Sequence, residues 1–98
     1  MKYKVGDFVI VTFEKLNINN WDDLPWTPTV FGPDITFIEG VKIRKNDVID
    51  IGNRPCKILN IMEGDVCVIA FRIRSFPPIL LKPYPTKMTY ETGENKKS

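Results

Sequence analysis

The sequence predicts an all-β chain, folded as a small antiparallel β-barrel with one long inserted loop. Three observations predict it. The chain holds 12 Ile, 8 Val and 7 Thr against a single alanine, Ala70, and no glutamine, which disfavours long helices and suits strands. Its apolar residues fall in short runs bounded by Gly, Asn, Asp and Pro. Its 98 residues suffice for one domain with one core. We assign residues 1–90 to that domain and residues 91–98, all polar apart from one glycine, to a disordered tail.

Residues 7–13 read as the first strand, opened by Gly6-Asp7. Phe8 and Ile10 face one side, while Val9, Val11 and Phe13 face the other. A strand apolar on both faces is expected to be covered on both. Residues 14–34 form a long connection with Asn17, Asn19, Asn20, Pro25, Pro28, Gly32 and Pro33. A connection of this length without periodicity is a functional suspect. Within it, a helical turn over residues 20–24 is expected, capped by Asn20.

Residues 35–44 read as a hairpin turning at Glu39-Gly40. A two-residue loop pairs Ile38 with Val41, Phe37 with Lys42, and Ile35 with Arg44. Thr36, Ile38, Val41 and Ile43 then share one face, and Ile35, Phe37, Lys42 and Arg44 the other.

Residues 46–71 read as an antiparallel meander. Val48-Ile49-Asp50-Ile51 is its first strand, Gly52-Asn53-Arg54-Pro55 a turn, and residues 56–61 its second strand. Met62-Glu63-Gly64-Asp65 turns into a third strand, which Arg72 and Arg74 continue on one face with Ile73 on the other. A four-residue turn places Leu59, Ile61, Val66, Val68 and Ala70 on one face, and Cys56, Ile58, Cys67, Ile69 and Phe71 on the other. Asp7, Asp47 and Asp65 each follow a Gly or Asn and precede an apolar run, so each is expected to satisfy a local amide. Residues 75–85, with Pro77, Pro78, Pro83 and Pro85, allow a short edge strand at most.

The run Asn46-Asp47-Val48-Ile49-Asp50-Ile51-Gly52-Asn53-Arg54-Pro55-Cys56-Lys57-Ile58-Leu59-Asn60-Ile61 resembles the first hairpin of SH3-like, KOW-type barrels. It is most similar to the N-terminal barrel of the hypusine-containing translation factors and elongation factor P. In those factors a modified lysine sits in a longer loop; the turn here, residues 62–65, has no lysine, so the resemblance implies an SH3-like fold and not a ribosomal role. Val5-Gly6-Asp7-Phe8-Val9-Ile10-Val11-Thr12-Phe13 is similar to the opening strand of the MazF/PemK toxins, SH3-like endoribonucleases. That family opens its next strand with an Arg-Pro. The only Arg-Pro here, Arg54-Pro55, makes Arg54 the residue on which an endoribonuclease reading rests.

Charge and residue usage limit the chemistry. Fourteen basic against 12 acidic residues leave +2, too little to imply nucleic-acid binding by charge alone. The absence of histidine removes imidazole bases and His-ligated metals from this chain. Cys56 and Cys67 form no CxxC pair and lie in apolar runs, so reduced core thiols are the expectation, with a disulfide left open. No metal and no cofactor are expected. No apolar stretch is long enough to span a membrane, and a cytoplasmic protein is the expectation.

Two candidate surfaces remain. Trp21, Asp22, Asp23 and Trp26 in the long loop suit a protein-binding patch, or else the indoles plug the end of the barrel. Phe37, Lys42, Arg44, Lys57, Arg72 and Arg74 suit a nucleotide or single-stranded nucleic acid, or else a solvated sheet face. The excess of two-faced strands favours a homodimer or higher homo-oligomer. We expect a non-catalytic binding module. Its Ile-, Lys- and Asn-rich composition points to a phage or mobile-element accessory protein that binds and modulates a host protein. The alternatives are a nucleotide or RNA binder and a MazF-like endoribonuclease.

Overall fold

The computed structural model describes residues 2–85. The polar tail assigned to residues 91–98, and the domain end at residue 90, lie outside them. Eight strands, one short helix and several 3-10 turns make up the described chain, and every strand pairing in it is antiparallel. The all-β expectation holds.

Strand β1 (Phe8–Val11) buries Val9 and Val11, but Phe8 on its other face is 42% exposed, so the expected cover on both faces is not found at Phe8. Strands β2 (Thr27–Thr29), β3 (Gly32–Ile38) and β4 (Val41–Arg44) form one sheet in the order β2-β3-β4. The β3–β4 register is Ile35 opposite Arg44, Thr36 opposite Ile43, Phe37 opposite Lys42 and Ile38 opposite Val41, as expected. Its turn residues Glu39 and Gly40 have φ of 51° and 79°. These positive values suit the strand twist, and Gly40 adopts its own without steric cost.

Residues 45–51 correct the expected strand. They form helix α1 (Lys45–Ile51). Four β-branched and acidic residues do not distinguish a period of 2 from one of 3.6. In a strand, Val48 and Ile51 would point to opposite faces. In the helix they are three residues apart on one face, and both are fully buried. Packing thus overrides the β-propensity of the segment. Gly52, at φ 56°, ends the helix, and Arg54 N–H donates to the Ile51 carbonyl at 3.2 Å.

Strands β5 (Cys56–Met62), β6 (Val66–Ile69), β7 (Ser75–Phe76) and β8 (Leu81–Pro83) join β1 in a second sheet, ordered β7-β6-β5-β1-β8. Against the expectation of one short edge strand at most, residues 75–85 give two, β7 and β8, at the two edges of this sheet. The meander departs from its expected register in two places that cancel. Its turn has three residues, Glu63-Gly64-Asp65, so Met62 faces Val66 and Ile61 faces Cys67. A bulge at Leu59 then restores the pairing of Ile58 with Ile69. Ile61 therefore lies on the inner face with Cys67, not beside Val66 and Val68, and packs against the core.

The core lies between the inner face of the five-stranded sheet, α1 and β4. Val9, Val11, Ile58, Ile69, Phe76, Leu80 and Leu81 meet Ile43, Val48 and Ile51 there, all buried. At the open seam β4 and β7 lie side by side, but no ladder joins the two sheets among the described residues.

Candidate binding surface

The 14–34 connection is structured. A 3-10 turn at Trp21–Asp23 is capped by Asn20, whose Oδ1 accepts from the Asp22 N–H at 2.8 Å, as expected. Trp21 meets Phe13 edge to face, with ring centroids 4.9 Å apart. Trp26 Nε1 donates to the Trp21 carbonyl at 2.6 Å. Both indoles pack against the core and are partly buried. Asp22 pairs with Lys45 at 2.8 Å, and Lys45 Nζ stands 5.9 Å from the centre of the Trp26 ring. Asp23 accepts from the Asn19 N–H at 3.1 Å. Asp22 and Trp26 thus meet Lys45 at the start of α1, while Trp21 packs on Phe13 and Asp23 bonds within the loop.

Beyond Trp26 the chain presents a feature that sequence patterning did not mark. Strands β2 and β3 form a hairpin whose two-residue tip is Val30-Phe31. Turn tips favour Gly, Asn, Asp and Pro. Here two apolar side chains are 86% and 99% exposed. A usable signal existed: an apolar pair set between Thr27-Pro28-Thr29 and Gly32-Pro33-Asp34. On the same sheet Phe37 is 61% exposed, beside Lys42 and near Arg44, as the expected register requires.

The basic set only partly assembles. Phe37, Lys42 and Arg44 share the outer face of the β3–β4 hairpin. Lys57 lies on the other sheet, opposite Phe8. Arg72 and Arg74 do not continue β6, which ends at Ile69. They sit in the loop to β7, where Arg74 N–H donates to the Phe71 carbonyl at 3.1 Å. Arg72 and Ile73 have φ of 53° and 52°, the left-handed pair of a primed turn, without the Gly or Asn that usually relieves it.

Two carboxylates of α1 hold this turn. Arg72 Nη1 donates to Asp47 Oδ1 and Nη2 to Asp50 Oδ2, both at 2.9 Å. These bonds raise the Arg72 pKa and keep it charged. Arg74 Nε lies 2.8 Å from Asp47 Oδ2, an ion pair without hydrogen-bond alignment. Asp47, 3% exposed, is a buried anchor for two arginines, where the sequence suggested a local turn residue.

At the seam a groove of about 510 Å³ runs along the outer edge of β4. One wall is Gly40–Arg44; Ile73, Arg74, Ser75 and Phe76 form the other, and Asp47, Met62, Glu63 and Val66 complete it.

Cys56 and Cys67 are free and buried. Burial pushes both thiols up; at Cys67 the carboxylates of Asp65 and Asp7 add to it, and at Cys56 Arg54 opposes it. Arg54 is exposed in the turn after α1 and makes no ion pair among the described residues. No group of three His, Cys, Asp or Glu side chains is placed to hold a metal among the described residues. No helix in them is long and apolar enough to cross a membrane.

No protein-family model, curated protein or solved structure matches this chain.

Proposed function

We propose that the protein is a non-catalytic module that binds another protein through the β2–β3–β4 sheet. One observation carries this reading: the Val30-Phe31 tip, with Phe31 99% exposed, and Phe37 on the same sheet. Folding gains nothing from an apolar pair held in water, whereas aromatic anchors dominate protein interfaces. The partner in this reading is a host protein, and the module the product of a phage or mobile element. Self-association belongs to the same reading. On the second sheet and beside it, Val5, Phe8, Leu59 and Met62 are 60%, 42%, 43% and 44% exposed.

Photo-crosslinking tests it. A benzoylphenylalanine at position 31 is expected to give a discrete protein adduct in cells, with none from the same group at Asn53. Absence of an adduct at position 31 would overturn the reading.

A second reading keeps support from Phe37, Lys42 and Arg44 on one face: binding of a nucleotide or single-stranded nucleic acid. It predicts affinity that falls steeply with salt.

A further inference from the structure

We propose that the Val30-Phe31 tip of one copy of the chain seats in the seam groove of a second copy, so that the protein associates with itself through two unlike surfaces. The proposal rests on the reading of the tip as a protein-contacting element, and it names an occupant and a receiving site which that reading leaves open.

The first ground is uncovered apolar surface on both sides. At the tip, Val30 and Phe31 are 86% and 99% exposed. In the groove, Met62 and Ile73 are 44% and 70% exposed, beside Val66 and Phe76. Neither set gains anything from the folding of one chain, and each is withdrawn from water by covering the other.

The second ground is shape. β4 and β7 lie side by side, so the groove has no room for a further strand between them. Its volume of about 510 Å³ suits side chains instead, and falls within the range of about 300–1,000 Å³ typical of binding pockets. The tip presents two side chains on a fixed frame. Thr29 faces Gly32 across it, and Thr29 Oγ1 donates to the Pro33 carbonyl at 3.0 Å. Pro28 and Pro33 stiffen its two strands. A preformed tip loses little chain entropy on docking.

The third ground is charge. The hairpin over residues 27–34 carries one charged side chain, Asp34. Asp34 makes no ion pair among the described residues, and neither do Lys42 and Arg44 of the groove wall. Against these two cations stands Glu63, while Asp47 is already matched by Arg72 and Arg74. An acidic hairpin therefore meets a groove whose free charge is positive.

The fourth ground is topology. In the order β2-β3-β4, the hairpin lies on one side of β4 and the groove on the other. The ladders that join β2 to β3 and β3 to β4 keep a tip out of its own groove, so only a second copy can supply one. Two reciprocal contacts close a two-fold dimer. A tip held in this way is withheld from any other partner, so self-association competes with partner binding.

The test uses the full chain at neutral pH. Sedimentation equilibrium is expected to show a concentration-dependent dimer, and Phe31→Ser is expected to raise its Kd at least about tenfold. Asp34→Lys in one variant, and Lys42→Glu with Arg44→Glu in another, each place like charges at both contacts and are expected to weaken association by at least about tenfold. Mixed in equal amounts, the two variants restore opposite charges at both contacts and are expected to associate, a result that misfolding of either variant cannot give. With benzoylphenylalanine at position 31 of the purified chain, the adduct is expected to join two copies and to map to Met62 or Ile73. A chain that stays monomeric at about 1 mM, a Phe31→Ser variant that associates normally, a mixture of the charge variants that does not associate, or an adduct outside the groove would each overturn the proposal. An adduct to another protein in cells, without self-association, removes this proposal alone. Self-association through the groove, without an adduct to another protein in cells, removes the host-protein reading alone.

Discussion

Asp47 and Arg72 meet through a 2.9 Å hydrogen bond that joins helix α1 to the turn between β6 and β7. The carboxylate is 5% exposed and the guanidinium 46%, so the pair is half in water. Asp47 also faces Arg74, and its removal would leave two arginines without their shared counter-ion. Asp47→Asn keeps the shape and removes the charge. It is expected to destabilise the fold by about 2 kcal/mol, below the range for fully buried pairs because Arg72 remains solvated. Urea unfolding at neutral pH measures it. A loss under about 0.5 kcal/mol would show that this anchor is worth no more than a surface pair.

Ile73 and Arg72 share one backbone conformation and should respond to the same substitution with opposite signs. Ile73 is 70% exposed, so its side chain contributes little packing, while its left-handed backbone costs about 1–2 kcal/mol. Asn tolerates that conformation without the chain entropy of glycine. Ile73→Asn is expected to raise Tm by about 4–8 °C, equivalent to about 1 kcal/mol in a chain of this size. Arg72→Asn relieves the same strain but loses both carboxylate contacts, and it is expected to lower Tm. Thermal melts of the two variants decide it. If the strain serves the groove, Ile73→Asn should also weaken self-association.

The range of each interaction decided whether it was legible in the sequence. The β3–β4 register and the Asn20 cap depend on residues a few positions apart, and both are read correctly from local chemistry. Alternation alone puts Val9 with Val11 on one face, and Ile58 with Cys67 and Ile69 on one face, but which face is inner comes only from the packing. Helix α1 depends on where Val48 and Ile51 find the core, and no window of seven residues holds that information. The shift of Ile61 depends on a bulge and a turn length that compensate each other. The candidate site was half legible for the same reason. Phe37, Lys42 and Arg44 come together through a local hairpin. Asp47 and Arg72, 25 positions apart, come together through tertiary packing.

The buried thiols make stability fall on the alkaline side. Burial raises Cys56 and Cys67 above the ordinary thiol value of 9.0. Tyr3 is raised above 10.0, first by burial and then by Cys67 and Asp7; its hydroxyl is buried without a partner among the described residues. Each group holds its proton more tightly in the folded chain. Below pH 9 the thiols are mostly protonated in both states, and their contribution is fully present. Above it the unfolded chain releases protons that the folded chain retains, so stability declines until the folded-state pKa is reached. The slope is about 1.4 kcal/mol per pH unit for each group inside its window. Urea midpoints should therefore fall as the pH rises through about 9 and above. Cys67→Val removes one titrating thiol at similar volume and should flatten the decline. An unchanged slope in Cys67→Val would show that this thiol titrates alike in the folded and unfolded chains.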